Sequence, residues 1–266
     1  MEERDPVLEA RLKEQFQGCC SPLRSRSFAT AKQGFGGAIH AFASCDSTME
    51  RAHALVRDGA GEGTLVFAAR QTQGRGRLGR RWESPDGGAY FSLILRPTRP
   101  PPEIPQLSLV AGLSAAEAIR ELTALSPSIR WPNDVLLEGK KVAGILTEAS
   151  THHSSLITHH YVVVGIGINV TTDPRNLPET ATSLLEACGG VPQAEIPSEA
   201  VRPSRGKAAL TSSDPRSTIH DPPDPLALVS EVCRKLDGWY DIWTAKGFAP
   251  IRESLRPWLE GLGQFV

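Results

Sequence analysis

Residues 129–148 read I-R-W-P-N-D-V-L-L-E-G-K-K-V-A-G-I-L-T-E, and this stretch decides the fold. It contains three short apolar runs, Ile129–Trp131, Val135–Leu137 and Val142–Glu148, which are separated by residues typical of turns. Short apolar runs bounded by turn residues predict strands. The Glu138–Lys140 turn is tight enough to join two of these strands as an antiparallel hairpin.

The same patterning predicts further elements on either side of this stretch. Additional strands are expected at Ala38–Ala43, Thr64–Ala69, Tyr90–Leu95 and Tyr161–Val170. Helical spacing of apolar residues predicts helices from Ser47 or Thr48 to about Arg57, and at Gln106–Leu122, Leu226–Trp243 and Gly247–Leu259. Strands and helices are thus interspersed, which indicates a domain that mixes α and β structure.

Composition narrows the class of protein. The chain has 266 residues, with 29 Lys and Arg against 30 Asp and Glu, so its net charge of −1 argues against bulk binding of DNA. No apolar run approaches the length of about 18 residues that a membrane helix needs, and the N-terminus lacks a secretory signal. The five cysteines form no C-x-x-C pair. A reducing, cytoplasmic location is expected.

The domain boundaries follow from changes in patterning. Residues 1–37 are poorly patterned and are predicted to be a poorly ordered lead-in, apart from a possible short helix at Glu9–Gln17. The ordered domain is expected to span residues 38–260. Within it, residues 190–225 are rich in Pro, Ser and Asp and predict a flexible insertion. Residues 261–266 resemble the start of another strand.

The most distinctive segment is the arginine loop, residues 74–81, which reads G-R-G-R-L-G-R-R and is followed by Trp82. Glycines let a backbone approach a ligand closely, and guanidinium groups match phosphate oxygens. The loop therefore suits a clamp over a polyphosphate, although a solvated basic loop or a nucleic-acid contact explains it equally well. Turn residues follow it rather than a helix, so the formal G-x-G-x-x-G pattern is not a dinucleotide fingerprint.

Three other segments carry candidate binding groups. Asn133 and Asp134 lie on a stiff turn after Pro132, and Lys141 follows the Glu138–Lys140 turn. In the run V-V-V-G-I-G-I-N-V, residues 162–170, two glycines would leave a groove against a strand. Each segment alone has an ordinary explanation: a turn, a solvated lysine, a helix cap at Asp46-Ser47-Thr48, or close strand packing. The His152-His153 and His159-His160 pairs are interpreted as turn residues rather than metal ligands.

Together these segments resemble the biotin protein ligases. The matching features are, in order, Asp46-Ser47-Thr48, Gln71 with G-R-G-R-L-G-R, then W-P-N-D, K-V-A-G-I-L-T-E and G-I-G-I-N. The resemblance is close over residues 38–188 and looser over 226–261. It implies an α+β fold like that of class II aminoacyl-tRNA synthetases, in which a mixed, mainly antiparallel sheet is backed by helices.

The resemblance implies a two-step reaction with ATP and biotin as substrates. Biotin is activated to biotinyl-5′-AMP with release of pyrophosphate, and is then transferred to a lysine of a biotin carboxyl carrier protein. Mg²⁺ is expected to accompany ATP, and no metal ligands are assigned. Edge-strand homodimers occur in the family. The family's DNA-binding domain is not expected here, and neither is its small C-terminal β-barrel.

The family's site residues carry over to positions that match its motifs. Lys141, Arg77 and Arg80 would stabilise charge during the reaction. Contacts to biotin would come from Ser47, Thr48, Gln71, Gly74, Arg75, Arg77, Lys141 and Gly144. Contacts to ATP would come from Arg77, Arg80, Trp82, Asn133, Asp134, Lys141 and Asn169, with Ile145 and Gly167 shaping the pocket wall. Met49 stands where many members carry Asn.

Three alternatives remain open. A lipoate or octanoate ligase would share the fold, but that family typically shows a Gly-Gly-Gly stretch with His-Asp instead of the arginine loop. A non-catalytic or impaired protein that binds biotin or its adenylate would follow from the expected lack of the barrel. Binding of nucleic acid through the arginine loop would show strong salt dependence.

Overall fold

The computed structural model describes residues 4–18, 34–154, 157–190 and 221–260, with side chains left out for 151–159. The predicted insertion at 190–225 therefore lies almost wholly outside the described residues, and the segment 261–266 lies entirely outside them. Seven strands form one sheet: β1 (Ile39–Phe42), β2 (Leu65–Ala68), β3 (Gly88–Leu95), β4 (Ser128–Arg130), β5 (Asp134–Leu137), β6 (Lys140–Ser154) and β7 (Ile157–Asn169).

The strand order is β1-β2-β3-β7-β6-β5-β4. The first two strands are parallel, and every other neighbouring pair is antiparallel. The predicted mixed, mainly antiparallel sheet is confirmed. The hairpin between β5 and β6 is confirmed as well: Glu138 and Gly139 form a two-residue turn with φ of 49° and 78°. Turns of this type need positive φ at both central residues, which explains the glycine.

Helices cover both faces of the sheet. They are α1 (Pro6–Gly18), α2 (Thr48–Arg57), α3 (Leu107–Thr123), α4 (Leu184–Ala187), α5 (Pro225–Lys246) and α6 (Ala249–Leu255). Most of the buried apolar side chains lie between one sheet face and α3 and α5. A smaller apolar cluster lies between the opposite face and α2. Among the described residues, no helix combines the length and the apolar character needed to cross a membrane.

Within the lead-in predicted at residues 1–37, the possible short helix at Glu9–Gln17 is confirmed and is longer than predicted. Pro6–Gly18 forms α1, and Leu12 on this helix is fully buried in the main core. Glu9 fixes the helix to the sheet, because its carboxylate accepts hydrogen bonds from Arg4 and from the backbone N–H of Ala41. Leu8 and Phe16, one turn to either side of Leu12, pack against the same core. Residues 19–33 lie outside the described part of the chain.

Strands β6 and β7 are longer than predicted. The apolar signal ends near Glu148 and begins again at Tyr161, but the pairing continues to Ser154 opposite Ile157. The added residues are mostly Ser, Thr and His, so their sequence gives no alternation of apolar and polar residues. The two histidine pairs do lie near the tip of this hairpin, where His152 pairs with His159.

Candidate active site

Two strands in the middle of the sheet present a bare, glycine-lined surface on the face that carries α2. Gly144 of β6 and Gly167 of β7 are direct partners in the sheet. The indole of Trp82 lies across them: a Cβ atom added at Gly144 would come within 2.8 Å of the ring, and one at Gly167 within 2.6 Å. The absence of side chains at both positions is therefore what allows Trp82 to lie there.

A cavity opens between this surface and the arginine loop, and it encloses about 450 Å³ of empty space, counting the part open to solvent. It brings together eight residues that the sequence marked as site residues: Thr48, Gln71, Arg75, Arg77, Trp82, Asn133, Lys141 and Gly144. Segments separated by almost a hundred residues in the chain thus converge on one site. Their convergence supports a functional explanation over four unrelated local ones.

One end of the cavity is a buried network of hydroxyl and amide groups. The Gln71 side-chain oxygen accepts hydrogen bonds from the Thr48 N–H at 2.8 Å and from the Thr48 hydroxyl at 3.1 Å. The Ser92 hydroxyl donates to Thr48 Oγ1 at 2.8 Å, and Gln71 Nε2 donates to Ser84 Oγ at 2.9 Å. Gln71 is thereby fixed at the start of α2. The sequence analysis missed Ser84 and Ser92, although a serine within the apolar run of β3 is an unusual residue.

Ser47 is the N-cap residue of α2, but its side chain makes no capping hydrogen bond. Its residue is only 1% exposed, and its Oγ has no partner among the described residues. A buried hydroxyl without a partner is costly, so its presence calls for an explanation other than helix capping. A ligand that fills the neighbouring cavity would supply the missing hydrogen bond.

Asn169 shows the same pattern at the end of β7. Its Nδ2 donates to the Thr182 carbonyl at 2.9 Å, whereas Oδ1 is buried and has no partner among the described residues. The indole N–H of Trp82 is likewise buried, with no acceptor in the part of the chain that the structure describes. The Trp82 donor, the Asn169 acceptor and the Ser47 hydroxyl are thus three buried polar groups without a partner among the described residues.

Lys141 supplies a positive charge to the cavity. Its ammonium lies 2.6 Å from Asp134 Oδ1 and 5.1 Å from the centre of the Trp82 ring. The backbone of Lys141 also pairs with Thr180 and Thr182, so the segment after β7 folds back beside the lysine. The lysine is therefore held from both its side chain and its backbone.

The arginine loop is narrow, because its two sides are hydrogen-bonded to each other. Gly76 N–H donates to the Arg80 carbonyl, and Trp82 N–H donates to the Gly74 carbonyl. Leu78 at the tip has φ of 57° and is 89% exposed. The loop is followed by a turn and by β3, which confirms that it is not the start of a dinucleotide-binding helix.

The arginines of the loop differ in their surroundings. Arg77 lines the cavity and donates from Nη1 to Asn133 Oδ1 at 2.9 Å. Arg75 also lines it, and its guanidinium forms ion pairs with Glu50 and Glu148. Arg80 is exposed and does not line the cavity, so its predicted contact with phosphate stays a prediction.

Three further predicted residues, Ser47, Gly74 and Asn169, lie outside the cavity wall, and Asp134 contributes only through Lys141. Gly74 was predicted to pack against a ligand. It packs against the base of the arginine loop, since an added Cβ would lie 2.4 Å from the Trp82 carbonyl oxygen, and its contact with a ligand stays a prediction.

Tyr90 lies on β3 next to the site, directly paired with Gly167 of β7. Its hydroxyl donates to the Pro85 carbonyl at 2.8 Å, and its ring lies directly against Gly88. Burial raises the pKa of this phenol, so Tyr90 remains neutral and acts as a hydrogen-bond donor. Among the described residues, no group of three or more His, Cys, Asp or Glu side chains is placed to hold a metal ion.

Residues 41–169 match the family model of the biotin/lipoate A/B protein ligase family. The biotin--[acetyl-CoA-carboxylase] ligase of Paracoccus denitrificans is 34% identical over 193 residues, which cover 71% of this chain and 68% of that protein. The chain therefore belongs to the biotin/lipoate A/B protein ligase family.

Two other relatives agree with this assignment. The bifunctional ligase/repressor BirA of Bacillus subtilis is 45% identical over 148 residues, or 54% of this chain. The chain spans only 45% of that relative's length. The structure of the biotin protein ligase from Aquifex aeolicus in complex with biotin and ATP superimposes with a TM-score of 0.61 at 30% identity. That superposition covers 84% of this chain and 78% of the other.

Proposed function

We propose that this chain is an ATP-dependent biotin protein ligase. The observation that carries the proposal is the placement of Lys141 and Arg77 at one cavity whose floor is the Gly144–Gly167 pair. Two cationic side chains at a cavity that Trp82 and the glycine pair line suit an anionic ligand. The relatives named as biotin ligases, and the structure that binds biotin and ATP, support this choice of ligand.

In the first step, a carboxylate oxygen of biotin attacks the α-phosphorus of ATP. The bond from that phosphorus to the bridging oxygen breaks, and pyrophosphate leaves with its electron pair. The nucleophile belongs to the substrate, so the protein's task is to position the two anions and to offset their charge. Lys141 is assigned to the carboxylate and α-phosphate, and Arg77 to the phosphates.

The polar end of the cavity is assigned to the ring system of biotin. Its ureido group has two N–H donors and one carbonyl acceptor, which match the short polar side chains of Ser47, Thr48 and Gln71. The buried Ser47 hydroxyl would gain the partner that it lacks. A substrate with a plain acyl chain could not satisfy this group, which favours biotin over lipoate or octanoate.

In the second step, the amine of an acceptor lysine attacks the carbonyl carbon of biotinyl-5′-AMP. The bond from that carbon to the phosphate oxygen breaks, AMP leaves, and the new amide loses a proton. The adenylate is a mixed anhydride that water would hydrolyse, so the arginine loop and Trp82 serve to exclude solvent. A biotin carboxyl carrier protein is the expected acceptor. Mg²⁺ would enter with ATP and balance the charge of its phosphates.

The proposal is tested by transfer to an acceptor. Purified protein is incubated with ATP, Mg²⁺ and a biotin carboxyl carrier domain, and separately with biotin, lipoate or octanoate. We expect one biotin per carrier, measured by intact mass, and no lipoyl or octanoyl product. Lipoylation of a carrier without biotinylation would refute the choice of substrate. Binding of biotin without any modified carrier would favour a non-catalytic binding protein.

A further inference from the structure

Four polar side chains, Arg75, Glu148, His53 and Tyr161, form a chain of contacts that begins at the cavity wall. Arg75 Nη2 is 2.7 Å from Glu148 Oε1. The other carboxylate oxygen of Glu148 is 3.0 Å from His53 Nε2, and His53 Nδ1 is 3.0 Å from the Tyr161 hydroxyl. These residues come from the arginine loop, β6, α2 and β7, so the chain joins four separate elements.

His53 bridges Tyr161 and Glu148, with one ring nitrogen facing each of them. In the tautomer with the proton on Nε2, that N–H donates to Glu148 and Nδ1 accepts from the Tyr161 hydroxyl, while the second oxygen of Glu148 accepts from Arg75. The His53 side chain is only 13% exposed, whereas Arg75 is 41% exposed. The histidine and tyrosine thus hold the carboxylate from the buried side, and the carboxylate presents its outer oxygen to the arginine.

Arg75 is further engaged by Glu50 on α2, which accepts from Nη1. Both terminal nitrogens of this guanidinium are therefore already paired with carboxylates. Arg77, two residues further along, contacts only the neutral Asn133 side chain among the described residues. Arg75 is thus placed to hold the arginine loop, whereas Arg77 keeps its charge for an anion in the cavity.

We propose that Glu148 is a positioning residue that holds the arginine loop over the cavity through Arg75, and that His53 fixes the orientation of Glu148. The expected effect on substrate binding rests on the proposed function, whereas the effect on the loop does not. When Arg75 is fixed to β6 and α2, Gly76 and Arg77 are held at the mouth of the cavity before any ligand arrives. Loss of the Glu148 charge would let the loop open more often.

Trypsin tests this without a ligand, because it cleaves after arginine and needs an opened loop. The rate of cleavage after Arg77 is measured by mass spectrometry in Glu148→Gln, Arg75→Gln and the double variant. A partly exposed ion pair contributes up to about 1 kcal/mol, so we expect its loss to speed cleavage about five-fold in each single variant. The double variant should be no faster than Arg75→Gln alone, because that change already breaks the link to Glu148 together with the one to Glu50.

Glu83→Gln is the matched control. Glu83 flanks the same loop and lies 3.6 Å from Arg81, but it is not part of the chain of contacts that includes Glu148. We expect it to be cleaved at the wild-type rate. Wild-type cleavage in Glu148→Gln, or effects of Glu148→Gln and Arg75→Gln that multiply in the double variant, would overturn the proposal. Thermal denaturation confirms that each variant is folded.

A kinetic measurement then separates positioning from general damage. In Glu148→Gln, the KM for biotin in adenylate formation should rise by about three- to five-fold, with kcat within two-fold of wild type, because fewer molecules hold the competent loop. An unchanged KM would overturn the positioning role. If the wild-type protein forms no adenylate at all, the proposed function fails, whereas the proteolysis result still decides whether Glu148 holds the loop.

Discussion

Replacement of Gly167 by alanine tests how closely the cavity is fitted to Trp82. The added Cβ would lie 2.6 Å from Trp82 Nε1 and 2.7 Å from Cε2. Non-bonded heavy atoms prefer a separation of about 3.5 Å or more, so the indole must withdraw by about 0.9 Å. The sheet backbone cannot move as easily, because Gly167 is paired with both Gly144 and Tyr90.

The added methyl group costs free energy in both the free and the bound protein, but by different amounts. In the free protein, Trp82 lies on a loop and can withdraw, so we expect a loss of about 1 kcal/mol, the low end for overpacking, and a fall in Tm of about 2–4 °C. In the bound protein, the arginine loop and Trp82 must stay in place over the ligand. The overpacking cost of up to about 3 kcal/mol then exceeds the cost in the free protein by about 2 kcal/mol, which corresponds to a roughly 30-fold loss of biotin affinity.

Isothermal titration calorimetry with biotin, together with thermal denaturation, measures both effects. Gly238→Ala is the matched control, because a Cβ there meets no atom within 4 Å and the residue lies inside α5. We expect that control to bind biotin normally and to gain up to about 1 kcal/mol in stability from its better helix propensity. Wild-type biotin affinity in Gly167→Ala would refute the placement of the ligand on the glycine-lined surface.

Three other substitutions probe separate parts of the site. Lys141→Gln should slow adenylate formation by about 10²- to 10³-fold, because it removes the charge placed for the α-phosphate. The free energy of unfolding should change by less than about 1 kcal/mol. Quench-flow measurement of pyrophosphate release gives the rate of adenylate formation. Arg77→Gly should let biotinyl-5′-AMP escape and so raise non-specific labelling of lysines in bystander proteins; unchanged labelling in a streptavidin blot would contradict the containment role of the loop. Ser47→Ala should weaken biotin binding about ten-fold without lowering Tm, because the hydroxyl has no partner in the free protein; a fall in Tm would show that the hydroxyl serves the fold instead.

Much of the fold could be read from the sequence because its elements carry strong local signals. The central helix α3 has apolar residues at helical spacing. The Glu138-Gly139 turn contains a glycine, the residue that adopts the positive φ of a tight turn most easily. The full length of the β6–β7 hairpin could not be read, because its outer part carries polar residues on both faces. Helix α1 was predicted only as a possible short helix at Glu9–Gln17, although Leu8, Leu12 and Phe16 lie four residues apart along it and pack at the main core.

The candidate site also contains residues with a strong local signal in the sequence and residues without one. Residues within distinctive motifs, such as Lys141 and Arg77, were found because glycine and charge stand out locally. Glu148 and His53 were missed, because their significance depends on a contact between β6 and α2 that only the fold creates. Arg80 belongs to the motif but is exposed and does not line the cavity. Motif spacing gives the order of residues along a loop and not which side chains face inward.

The central claim is that Lys141, the arginine loop and the glycine-lined surface activate biotin with ATP. The most direct test incubates the purified protein with biotin, Mg²⁺ and [α-³²P]ATP, and separates the products by chromatography. The account predicts labelled biotinyl-5′-AMP in near-stoichiometric amounts that stays bound to the protein, and almost none with Lys141→Gln. Retention of biotin with no labelled adenylate, or equal adenylate from the Lys141→Gln variant, would contradict it.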